Sequence, residues 1–123
     1  MSGRADILST VDLLHAYVER LEARDWAGFA DLLHEDVVYR LPQTGEVVRG
    51  RDAYLAWNQN YPEGWHLELA EAYGDDTGGA ARIDAVAGGE PVTALVFVTV
   101  SGGLVTEIRD WWPTPYDPPP RHG

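Results

Sequence analysis

The stretch Leu104-Val-Thr-Glu-Ile-Arg-Asp-Trp-Trp-Pro113 closes the hydrophobic half of the chain, and its reading decides how the rest is taken. It alternates as a strand does, with Leu104, Thr106, Ile108, Asp110 and Trp112 on one face. If that face is the buried one, Asp110 stands among large apolar side chains. Burial there raises a carboxylate's pKa and suits it to moving protons. Such an acid is costly unless it has a partner or a task.

Three comparable stretches precede it: Trp65–Tyr73, Ala80–Ala87 and Val92–Val100. They are separated by Asp75-Asp-Thr-Gly-Gly79, Gly88-Gly-Glu-Pro91 and Ser101-Gly-Gly103, short glycine-bearing connections that make consecutive antiparallel hairpins. Val92–Val100 is almost wholly apolar, which predicts a central strand covered on both faces. Upstream of Gly64 the period changes. Ile7, Val11, Leu14, Val18 and Leu21 recur at spacings of four and three, the stripe of a helix on a core. Asp25 reads as the N-cap of a short second helix burying Trp26, Phe29, Ala30 and Leu33. Val37–Leu41 follows as a short strand stopped by Pro42, with a turn near Thr44-Gly45. A third helix after Gly50 carries Asp52 in its first turn and Tyr54, Trp57 and Tyr61 on its apolar face, and ends before Pro62. The expected fold is α+β: three N-terminal helices against a cone-shaped, curved antiparallel sheet that encloses a pocket. Residues 1–112 form that domain. Residues 113–123 are a proline-rich tail that joins neither sheet nor helix, with Tyr116 as an anchor.

Composition narrows the function classes. The 123 residues make one domain, and 20 acidic against 9 basic side chains leave a net charge of −11. That balance argues against nucleic acid or an anionic membrane as a partner, and solubility explains most of it. The absence of cysteine excludes disulfides, thiolate chemistry and zinc–cysteine sites. No stretch reads as a signal core or a membrane span, so a cytoplasmic protein is expected. His34-Glu35-Asp36 has no ligand spacing, and neither a metal nor an organic cofactor is expected.

The order helix, helix, strand, Arg49-Gly-Arg-Asp-Ala53, helix, and a meander ending Glu107-Ile-Arg-Asp-Trp-Trp112 resembles the nuclear-transport-factor-2-like superfamily. Within it the chain is similar to the SnoaL-like and ketosteroid-isomerase-like branch. The resemblance runs from Ile7 to Trp112. It implies the cone fold, a small apolar ligand, and a homodimer through the sheet. Against ketosteroid isomerases, Tyr17 matches their first-helix tyrosine. Leu41, before Pro42, occupies the place of their aspartate base, and their second aspartate falls in the apolar stretch Ala94–Val98. Limonene-epoxide-hydrolase-like members resemble the chain through Arg82-Ile-Asp84, Arg109-Asp110-Trp111-Trp112 and Tyr39. Leu41 stands where they carry an asparagine.

Residue chemistry runs parallel to that resemblance. Arg82 and Asp84 are two apart on a strand, so they share a face, roughly 7 Å apart along it. If that face is concave, both approach Asp110. A guanidinium between two carboxylates stabilises them, while their mutual repulsion keeps one protonated. Such an acid–base pair opens an epoxide: Asp110 deprotonates water, Asp84 protonates the ring oxygen, Arg82 holds both and Tyr39 orients the water. Because Arg82 and Asp84 alternate with Ala81, Ile83 and Ala85, either set can face the core. The expected substrate-binding residues are Tyr17, Trp26, Leu41, Trp57, His66, Ile108 and Trp112. The expected activity is epoxide hydrolysis. The alternatives are a cyclase, isomerase or dehydratase using Asp110, with His66 as a further group, and a non-catalytic ligand-binding or dimerisation module.

Overall fold

The computed structural model describes residues 8–121, so Ile7 and His122 lie outside the described residues. The first helix, α1 (Thr10–Glu22), is capped by Ser9, whose side chain accepts from the Asp12 amide, and it buries Leu13, Leu14, Tyr17, Val18 and Leu21. Asp25 caps α2 (Trp26–Ala30) by accepting from the Gly28 amide. Then come β1 (Leu33–Leu41), β2 (Glu46–Arg49), α3 (Arg51–Gln59), β3 (His66–Gly74), β4 (Gly78–Ala87), β5 (Glu90–Ser101) and β6 (Leu104–Trp111). Leu33 and His34 therefore begin β1 instead of ending α2, and β1 starts four residues before the expected Val37.

All six strands share one curved, unclosed sheet in the order β2-β1-β6-β5-β4-β3. The antiparallel meander β3–β6 has the expected hairpins. β1 joins β6 in parallel, Tyr39 opposite Ile108, which makes the sheet mixed. The helices cover its concave face. The core there holds Phe29, Leu33, Val37, Val105 and Ile108, all essentially inaccessible, with Ala94, Val96, Val98 and Val100 contributed by β5.

The outer face of β5 is uncovered. Leu95 is half-buried and Phe97 is 37% exposed, so the strand is sealed on one side only within the chain. In β6 the pairing register shifts between Thr99 and Val100 of its neighbour. The bulge turns Val105 inward, and Ile108, Asp110 and Trp112 continue that face. Residues 113–121 have no regular structure and are exposed. Tyr116, at 84% exposure, anchors nothing. Among the described residues no helix is long and apolar enough to cross a membrane.

Candidate active site

The concave face leaves a cavity of about 510 Å³ between α1, α3, the β1–β2 hairpin and the inner faces of β3–β6. Asp110 lines it from β6, and the cavity wall is mostly aromatic and aliphatic, with Tyr17, Tyr39, Tyr54, Trp57, Trp65 and Trp112. Asp110 is 7% exposed. Tyr39 Oη donates to Asp110 Oδ2 at 2.7 Å. The other oxygen, Oδ1, has no hydrogen-bond partner. Burial lifts the carboxyl to about pKa 6, against the downward pull of the hydrogen bond from Tyr39.

A second polar pair lies deeper. The Tyr17 and Tyr54 hydroxyls share a hydrogen bond of 2.6 Å. Burial, and then the neighbouring negative charges, hold the Tyr17, Tyr39 and Tyr54 phenols well above their usual pKa, so all three keep their protons. Tyr39 stacks on Tyr54 at 4.7 Å between centroids and meets Trp57 at 4.9 Å. Counting protons is informative. The Tyr39 proton is committed to Asp110. The Tyr17–Tyr54 pair has two and uses one internally, which leaves one to donate to a guest.

Trp65 is held in the wall from behind. Arg24 follows α1 in a left-handed conformation, φ 57°. Its guanidinium sits 3.3 Å from the Trp65 ring centroid and donates to the Trp65 carbonyl at 2.6 Å. At the mouth, the Gln43 side chain accepts from the Trp112 amide and ties the β1–β2 turn to the end of β6.

Of the residues expected from the sequence, Tyr17, Tyr39, Leu41, Trp57, Asp110 and Trp112 meet at this cavity. Arg82 and Asp84 do not. Ala81, Ile83 and Ala85 take the concave side of β4, so the pair lies on the outer face. There Arg82 binds Asp84 at 2.9 Å and Glu71 at 2.8 Å. His66 is exposed and bonds Glu22 at 2.9 Å across the α1–β3 junction. Trp26 packs edge-on against Phe29, 6.4 Å away, and Ile108 is sealed in the core. None of these last three lines the cavity. Tyr54, Asn58, Trp65 and Glu46 line it without having been singled out as site residues. The α3 stripe of Tyr54, Trp57 and Tyr61 was the available signal for Tyr54. Among the described residues no group of three or more His, Asp or Glu side chains is gathered to hold a metal ion.

The sequence profile of the SnoaL-like domain matches residues 14–108. The chain belongs to the SnoaL-like family. This SnoaL-like domain is similar to a Kribbella flavida structure named "putative ketosteroid isomerase", at 40% identity, TM-score 0.89, over 94% of this chain and 86% of that one. It shares its fold with an NTF-2 like protein of unknown function from Burkholderia xenovorans, at 21% identity, TM-score 0.78, over 88% and 85% of the two chains. The same holds for a "putative polyketide cyclase" from Sinorhizobium meliloti, at 19% identity, TM-score 0.72, over 80% and 93%. No functionally curated protein matches the SnoaL-like domain described here.

Proposed function

We propose that this protein moves a proton at a carbon beside a carbonyl in a small, largely apolar molecule, as an isomerase or cyclase. The observation that carries this reading is one buried carboxyl, Asp110, lifted to about pKa 6 in an aromatic cavity that also holds a tyrosine pair with a proton to spare. A base with that pKa is mostly ionised at neutral pH yet strong enough to take a carbon-bound proton. Asp110 becomes neutral as it does so, and the substrate's electron pair moves onto the carbonyl oxygen. The free tyrosine proton donates to that oxygen where the charge develops. Returning the proton to another carbon completes an isomerisation; attack of the enolate on a second carbonyl closes a ring.

Epoxide hydrolysis has less support. It calls for a second acid in the cavity, and Asp84 is bonded to Arg82 on the opposite face of the sheet. The test is conversion of a β,γ-unsaturated cyclic ketone to its conjugated isomer, followed by ultraviolet absorbance. Asp110→Asn should lose on the order of 100-fold or more, the contribution of a general base. Asp84→Asn and Arg82→Ala should match the wild type. An epoxide probe hydrolysed in an Asp84-dependent manner would reverse this assignment.

A second copy of this chain is the occupant we propose for the outer sheet face. Leu95, Phe97 and Trp111 form an apolar stripe along β5 and β6, with Phe97 and Trp111 37% and 39% exposed. On one side, Arg40 and Arg109 bracket Glu107 at 2.9 and 2.6 Å. On the other, Glu71 and Asp84 bracket Arg82. The two triads carry opposite excess charge on the two sides of the stripe, which favours a two-fold pairing that brings the positive triad of one copy toward the negative triad of the other.

A further inference from the structure

Among the residues lining the cavity, the ionisable side chains other than tyrosine are Asp110 and Glu46, and neither lysine, arginine nor histidine is present. Two nearby basic side chains are engaged elsewhere. Arg24 lies behind Trp65, bonded to the Trp65 carbonyl, and His66 is outside, bonded to Glu22. Above the titration of Asp110 the chamber therefore carries two negative charges, with no compensating positive group among the described residues that line it. It sits in a chain of net charge −11.

Glu46 is placed for recognition. It opens β2 opposite Leu41, at the neck of the hairpin that rims the mouth. Thr44 Oγ1 donates to Glu46 Oε1 at 2.8 Å and ties the carboxylate to the β1–β2 turn. Its charge reaches Tyr39, whose phenol it helps to keep protonated. The wall beside the two carboxylates includes Tyr39, Trp57, Tyr61 and Trp112, aromatic rings of the kind that attract a cation and repel an anion. A carboxylate or phosphate guest would enter against both charges, met by a tyrosine hydroxyl but by no cation among the described lining residues. An ammonium guest would meet aromatic faces, Glu46 at the rim and, further in, the unpartnered oxygen of Asp110.

We propose that the cavity takes a ligand bearing an amine, and that Glu46 at the mouth selects it. This rests on the same cavity being the substrate site, and it names the substrate class: a small apolar amine, with the reacting carbon directed inward to Asp110 and the ammonium directed to the hairpin. Anionic substrates, including acids and phosphate esters whose charge must enter the chamber, are excluded.

The test uses three probes of one size: cyclohexylamine, cyclohexanol and cyclohexanecarboxylate. Each is titrated against the intact protein at about pH 8, where Asp110 is ionised and a primary amine is still charged. Quenching of tryptophan fluorescence reports binding, since Trp57, Trp65 and Trp112 line the cavity. The amine should bind about tenfold more tightly than the alcohol, and the carboxylate most weakly of the three. Glu46→Gln should bring the amine close to the alcohol without changing the alcohol itself, and Glu46→Lys should favour the carboxylate. An alcohol or carboxylate that binds as tightly as the amine overturns the proposal. So does an amine preference that survives Glu46→Gln. Because the ranking is a binding measurement, it is separable from turnover. Asp110→Asn should retain the Glu46-dependent order after losing proton transfer. A correct order in a protein without turnover would sink the catalytic reading and leave this one standing.

Discussion

At the scale of single residues, Asp110 sets stability against activity. Burial makes the folded chain hold the Asp110 proton more tightly than the unfolded chain does. Folding stability should therefore decline as pH climbs from the ordinary carboxylate range to about 6, and stay level above it. A rise of about two units corresponds to roughly 3 kcal/mol. Asp110→Asn should accordingly stabilise the fold at about pH 8, by about 1–3 kcal/mol in urea melts, with the gain vanishing near pH 4. Activity has the opposite sense, since the base works ionised: kcat/KM should rise with pH and level off above about 6. Tyr39 is a positioning residue in that scheme. Tyr39→Phe removes the hydrogen bond that lowers the Asp110 pKa, so the rising limb should move upward by about one unit. Replacing both Tyr17 and Tyr54 by Phe should instead lower the plateau, by about tenfold or more, and leave the limb in place. A limb unmoved by Tyr39→Phe would remove Tyr39 from the mechanism. Asp110 was legible in the sequence because it alternates with Ile108 and Trp112. The face of Arg82 and Asp84 was not, since Ala81, Ile83 and Ala85 alternate with equal regularity and small apolar residues mark a side only weakly.

At the scale of elements, the α1–α2 corner departs most from its sequence signals. The Asp25 amide bonds the Arg20 carbonyl at 2.9 Å and the Arg24 amide bonds Leu21 at 3.0 Å, a glycine-type helix stop built with an arginine. The strain of that left-handed residue is offset by what its side chain does, bonding the Leu21 and Glu22 carbonyls and covering Trp65. Arg24→Ala keeps the strain and loses the clamp, so it should cost about 1–3 kcal/mol. Arg24→Gly relieves the backbone and should cost less. Denaturant midpoints in the reverse order would mean the clamp contributes little. No local pattern announces an arginine in this role, because its partners lie about forty residues away. The bulge in β6 is hidden for a related reason: it is defined by pairing with β5, and the alternation of Leu104–Trp112 reads as unbroken.

At the scale of the whole molecule, the meander, the three helices and the cavity follow from periodicity and turn residues. The sheet's outer face does not, because a nearly continuous apolar strand such as Val92–Val100 predicts cover on both sides without saying what supplies it. A second copy answers that demand. Phe97→Glu places a charge at the centre of the stripe and should convert a dimer to a monomer by light scattering, with the cavity's ligand affinity unchanged. A wild-type protein that is monomeric at micromolar concentration would refute the assembly.

The parallel join of β1 to β6 also orders events in time. Tyr39 finds Ile108 as its sheet neighbour only after the elements from β2 to β6 have been made. Until then the Tyr39 hydroxyl has no Asp110 to donate to. The meander, by contrast, zips through nearest-neighbour hairpins. Closure of this long-range seam is thus the slow step expected in folding, and Tyr39 is the staple that joins β6 to β1. The contact that tunes the carboxyl is the same contact that completes the architecture.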